Sequence, residues 1–227
     1  MTLQDLIAHF RSQVSDEDQP YLWSDAEVLL FAIDAQDRLV RAFGGISDYS
    51  TTALTDVALV ADTPTSTHSP YILRIRSGKL TTAKRSIEMI SESDVGLKLS
   101  DDYGLRSALY LDDTDTGAVM AGILGMEKNK IRWFRVPSES DTCRMHIYRL
   151  PYPRISTQQG TLEVDVQHHI HLISGMKELA YQKEDSETFD KAAYERNKSI
   201  FADYCEKVRQ EEERQRFKPR VVRYGGL

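Results

Sequence analysis

The sequence predicts an α+β protein: a four-helix α-helical bundle with an inserted antiparallel β domain and an extended C-terminal tail. Three observations predict it. Apolar residues at helical spacing open and close the chain, period-two alternation broken by Pro, Gly and Ser fills the middle, and a basic run follows the last helical stretch. The expected boundaries are 1–46 for the N-terminal helices, 47–157 for a β-rich lobe, 158–216 for the C-terminal helices and 217–227 for the tail. In the simplest architecture the four helices pack together and the lobe protrudes.

The first helix begins at Thr2 and places Leu3, Leu6, Ile7, Phe10 and Val14 at helical spacing. The second lies in WSDAEVLLFAIDAQDRLVRAFGG. Ser24 and Glu27 form an S-x-x-E capping box, and Trp23 and Val28 occupy the two positions of a hydrophobic staple. Gly44-Gly45 ends the helix, where the chain turns through positive φ.

The middle reads as strands. TDVALVA, YILRIRSGKLT and SIEMIS are short runs between turn residues, and in YILRIRSG Tyr71, Leu73 and Ile75 alternate against Ile72, Arg74 and Arg76. KIRWFRVP and TCRMHIYRLP are expected to form a hairpin through SESD. Pro137, Pro151 and Pro153 fall at strand ends, where a missing N–H costs little. Residues 96–117 read as loop with one short strand near Leu109, and Ser91-Glu92-Ser93-Asp94 suits one helical turn. After Gly160 the helical period returns: Val166, Ile170, Ile173, Met176 and Ala180 share one face, and Phe189, Ala193, Ile200, Tyr204 and Val208 another.

Composition excludes several classes. The chain has 227 residues, 41% hydrophobic and 28% charged, enough for a sizeable core without staples. Its net charge of -6 argues against bulk nucleic-acid binding, so any basic surface is local. Cys143 and Cys205 are too few and too far apart for a disulfide framework, and reduced thiols are expected. No apolar run is long enough to span a membrane, and acidic Asp5 breaks a signal-peptide pattern, so the protein is expected to stay in the cytoplasm where it is made.

Chemistry-bearing clusters are few. His168 and His171 share a helix face while His169 points elsewhere, and no Cys or carboxylate completes an HExxH-like signature. A metal-dependent hydrolase on these histidines is the least favoured reading; structural hydrogen bonding is the better one. In DDTDTG, Asp112, Asp113 and Asp115 resemble the start of a calcium loop that lacks its twelfth-position Glu. No GxSxG, P-loop or GxGxxG occurs. The expectation is a protein that is no enzyme and holds no cofactor or metal.

The basic residues are more telling. Arg214, Arg216, Lys218, Arg220 and Arg223 follow Glu211-Glu212-Glu213 with no acid among them, and Val221, Val222 and Tyr224 give the tail a strand-like apolar character. Such a tail suits addition of a strand to a partner's sheet edge. The alternative is a DNA-binding accessory protein that sets Arg214 to Arg223 on phosphates.

Four features in order carry a family resemblance: the opening helix with WSDAEVLLFAIDAQDRLVRAF, the strand–loop–strand element IRWFRVPSESDTCRMHIYRLP, the helix EVDVQHHIHLISGMKELAYQ, and the turn and long helix KEDSETFDKAAYERNKSIFADYCEKVRQEEERQR. The chain resembles the head-to-tail adaptor (connector, head completion) proteins of tailed bacteriophages. The resemblance implies a non-enzymatic virion protein assembled as a homo-oligomeric ring of about twelve copies. It implies docking on the portal protein, contact with neck or tail proteins, and passage of DNA through the lumen. It assigns portal docking to Phe217, Lys218, Arg220, Val221, Val222, Arg223, Tyr224 and Leu227. Mixed charge along two helices nominates Asp34, Arg38, Arg41, Arg209, Glu212 and Arg216 for the subunit interface.

Overall fold

The computed structural model describes residues 1–98, 111–183 and 188–216. In chain order the elements begin α1 (Leu3–Gln13), α2 (Asp25–Ala42), β1 (Ile46–Asp48), the single turn α3 (Thr52–Thr55), β2 (Asp56–Leu59), β3 (Thr65–Thr67), β4 (Ile72–Leu80) and β5 (Ser86–Ser91). A 3-10 turn (Glu92–Asp94) leads into α4 (Val95–Lys98). There follow β6 (Thr116–Gly117), β7 (Ala121–Leu124), β8 (Lys130–Trp133), β9 (Val136–Pro137), β10 (Asp141–Arg149), α5 (Val166–Gln182) and α6 (Lys191–Arg216). Two compact units result: Met1–Gly44 with Pro151–Leu227, and Gly45–Leu150.

In the first unit local chemistry sets the helix starts. Thr2 and Asp5 form a reciprocal capping box on α1, and Ser24 and Glu27 do the same on α2. Leu3, Leu6, Ile7 and Phe10 are buried, as their spacing requires, and so are Trp23 and Val28. Gly44 and Gly45 end α2 at φ +84° and +101°. Trp23 then crosses to the other end of the sequence: its Nε1 donates to Ala180 O at 3.2 Å, and its ring meets the edges of Phe10 and Tyr181. The helices α1, α2 and α6 all pack on α5. At Gly175 of α5 an added Cβ would stand 2.9 Å from the Phe201 ring of α6 and 3.0 Å from Ala35 of α2. That glycine sets how closely three helices approach.

Two helix faces differ from the periodicity reading. On α5, Ile173, Met176 and Ala180 are buried, but Val166 and Ile170 are 71% and 47% exposed. His168 and His169 take the inward positions instead, with hydrogen bonds that satisfy their ring nitrogens. On α6, Ala193, Phe201 and Val208 are buried, whereas Ile200 faces outward, and Phe189 is exposed just before the helix begins. Asn197 occupies the inward stripe, where its Nδ2 donates to Ala193 O at 2.7 Å.

The second unit is built on a curled, mixed, eight-stranded sheet in the order β1-β10-β4-β5-β7-β8-β3, with β2 also on β10. β1 and β2 share one edge of β10 and β4 takes the other. The two ends of the sheet approach each other: Trp133 Nε1 donates to Ser66 Oγ on β3, which donates to Ala58 O on β2 at 2.7 Å. β5 and β7 pair in parallel, as do β6 and β9 in a separate two-stranded piece.

This overturns the expected fold class. A large curled mixed sheet, rather than a four-helix bundle with an antiparallel insertion, dominates the described elements, and the helices gather on α5 instead of forming four equivalent members. The short strands β1, β3, β6 and β7, two to four residues each, carry too little periodicity to read. The expected KIRWFRVP–TCRMHIYRLP hairpin does not form either: β8 pairs with β7 and β3, and β10 with β1, β2 and β4. In β4 the alternation is reset by register shifts against β10, so Ile72 and Ile75 are both buried while Leu73 faces out. The 3-10 turn falls on Glu92–Asp94, within the stretch Ser91–Asp94 read as one helical turn. Of the loop read over 96–117, the strand expected near Leu109 lies outside the described residues.

Candidate assembly surfaces

Of the charged residues nominated on α2, Arg38 is drawn into the chain's own packing. Arg38 lies 3.7 Å from Asp34, one turn back, and donates to buried Glu178 of α5 at 2.8 Å, with its guanidinium over the Phe201 ring. Glu178 needs that cation, because a buried carboxylate without a partner is costly. Arg38 is thus a structural bridge between α2 and α5. Asp34 and Arg41 remain at the surface. Sequence reasoning missed Glu178, although a lone acid inside the apolar run HLISGMKELA was a visible signal.

Along α6, Arg209 sits between Glu206 and Glu213, one turn to either side, at 2.6 Å from each. The Arg209 guanidinium holds the Glu206 carboxyl down to about 2. These groups are exposed, so the ladder adds little to stability and instead stiffens a charged ridge. Glu212 is half-buried beside it. The side chain of Arg216, the last residue of α6, and Phe217, Lys218, Arg220, Val221, Val222, Arg223, Tyr224 and Leu227 lie outside the described residues.

The histidines have structural partners. His169 places its two ring nitrogens 2.9 Å from Met1 O and 2.9 Å from Val164 O, tying the start of the chain to α5. His168 Nδ1 lies 2.8 Å from the Tyr204 hydroxyl, and His171 stacks on the Tyr204 ring at 3.7 Å. Burial pushes the pKa of both His168 and His171 down, which favours neutral rings in this packing. Among the described residues no three His, Cys, Asp or Glu side chains converge as metal ligands. The aspartates of DDTDTG diverge: Asp112 accepts from Thr114 N, Asp113 pairs with Arg132, and Asp115 with Arg135. Cys143 is buried, its thiol pushed up to about 12 by burial, and Cys205 is partly buried; both are free thiols. No helix among the described residues is long and apolar enough to cross a membrane.

What the surface offers is attachment. Val166 and Ile170 of α5, Ile200 of α6 and Phe189 just ahead of α6 present apolar side chains to solvent. Large apolar side chains left in solvent are groups that a protein–protein contact can bury. No curated protein matches the chain. The family model of the SU10 adaptor protein matches residues 1–223. The chain therefore belongs to the SU10 adaptor family, a family of phage head-to-tail adaptors.

Proposed function

We propose that this structural phage adaptor is a non-catalytic ring subunit of the head–tail junction, synthesised in the host cytoplasm, that binds the portal and joins it to neck or tail proteins. The observation that carries the reading is the family match over residues 1–223, nearly the whole chain. A closed ring of about twelve copies would need a heterologous contact, one face complementary to a different face of the neighbour. The exposed apolar residues of α5 and α6 are material for such a contact, and Asp34, Arg41, Arg209, Glu212 and Arg216 are assigned to it for their mixed charge. Arg38 acts here by fixing α2 against α5.

Docking on the portal is assigned to the tail, RFKPRVVRYGGL, whose alternating basic and apolar residues suit strand addition. Residues 45–150 are assigned the contact with neck or tail proteins. The test is truncation after Arg216: the shortened protein keeps the wild-type melting temperature but no longer co-sediments with portal rings. Undiminished co-sedimentation would refute the docking role of the tail.

A further inference from the structure

The outer side of β10 and β4 carries a cationic strip that forms no ion pair among the described residues at Arg74, Arg76, Lys79, Lys84 or Arg85. Five of the chain's 29 cations and none of its 35 carboxylates fall in residues 63–87, so the rest of the chain is more acidic than the net charge of -6 by five units. These five, Arg74, Arg76, Lys79, Lys84 and Arg85, are all exposed. Elsewhere in the same unit Arg132, Arg135, Arg144 and Arg149 each hold an aspartate, whereas no ion pair forms at any of the five among the described residues.

The strip is held in place. Arg74 lies over the Tyr148 ring at 4.2 Å, Tyr148 stacks with His146, and Tyr49 meets the edge of His146. Stacking of this kind fixes a guanidinium while leaving its fork of N–H donors for a carboxylate. At the tip, the Asp141 carboxylate accepts from the backbone of Thr82, Ala83 and Thr142, so it braces the turn that presents Lys84 and Arg85. Lys79 and Arg144 are direct cross-strand partners. Asp56 already holds the Arg144 guanidinium through two hydrogen bonds, so Lys79 is the cation of that pair left to an outside carboxylate. Ring faces already filled by Arg74 and His146 do not offer a platform for nucleobases, which is what a nucleic-acid surface on a sheet would use.

We propose that this strip docks against a carboxylate-rich surface of a second copy of the chain, one half of a heterologous subunit contact. The inference rests on the ring-subunit reading and names one face of that ring. The complementary charge is the chain's own acid excess outside residues 63–87.

Lys79 and Lys84 make the contact measurable. Equal parts of unlabelled and 15N-labelled full-length protein are treated with a carbodiimide, which joins a lysine amine to a carboxylate at contact distance. Mixed-isotope cross-links from Lys79 or Lys84 to Asp or Glu are expected at low salt, and their loss near 1 M salt, where the Debye length falls to about 3 Å. Arg74→Glu/Arg76→Glu should cut their yield about tenfold, the factor that 1.4 kcal/mol supplies. Lys84→Glu/Arg85→Glu, at the hairpin tip, should do the same at Lys79 if the first variant fails to fold. Same-copy cross-links only, or an undiminished yield in a folded variant, overturns the proposal. So does tight binding of a labelled single-stranded or duplex oligonucleotide at this strip without mixed cross-links. Mixed cross-links from a protein that never joins portal would refute the adaptor role and leave this contact standing.

Discussion

Asp48 shows how much one side chain can organise in the β unit. It is buried and accepts from Arg149 Nε at 2.5 Å and from the backbone of Ser50 and Thr51. Burial pushes its carboxyl up, but hydrogen bonds from Thr51, Arg149 and Ser50 outweigh that and hold it below the ordinary carboxylate range. Asp48→Ala removes the carboxylate that faces the buried Arg149 guanidinium, itself only 7% exposed, and should cost about 3–5 kcal/mol in the urea unfolding of this unit. Glu27 acts in the other unit: hydrogen bonds from Lys183 and then Ser24 lower its carboxyl from 4.5 to about 2. A depressed carboxyl stabilises the fold above its unfolded value and loses that effect as pH falls through the folded one. The melting temperature should therefore fall between pH 4.5 and about 2, and Glu27→Gln should flatten that part of the profile. The Ser24–Glu27 cap was legible in the sequence because it spans only three residues. The Asp48–Arg149 pair was not, because its partners are about a hundred residues apart.

The elements teach the same lesson about range. The first helix followed from spacing and the second from spacing and its cap, and the longest strands were legible as runs, although the faces of β4 were not. The faces of α5 and α6 were misread because hydropathy ranks His168, His169 and Asn197 as outward residues, while tertiary hydrogen bonds make them good inward ones. Sheet order was closed to any local reading, since β10 recruits partners from three distant segments. Gly175 was silent for a related reason: its need for space arises only where α2, α5 and α6 meet. Gly175→Val should push Phe201 and Ala35 away and cost about 1–3 kcal/mol, read as a lower unfolding midpoint. Arg209→Ala, on the exposed ridge, should leave the unfolding midpoint almost unchanged while weakening self-assembly into rings, read by sedimentation.

For the whole molecule, family was more legible than architecture. The order of textures along the chain pointed to head-to-tail adaptors, and the family match over residues 1–223 establishes that membership. The four-helix-bundle expectation failed because the short strands that complete the sheet leave almost no trace in hydropathy. The tail was singled out by composition alone, acid-free, basic and β-branched, and that composition is what the docking proposal uses. Its removal is the most direct test of the central claim that this chain is a portal-docking ring subunit. Electron microscopy of portal rings mixed with full-length protein should show an added ring of density beneath each portal, and mixtures with protein ending at Arg216 should show bare portals. Bare portals with the full-length protein, or rings equally decorated by the truncated one, would contradict the account.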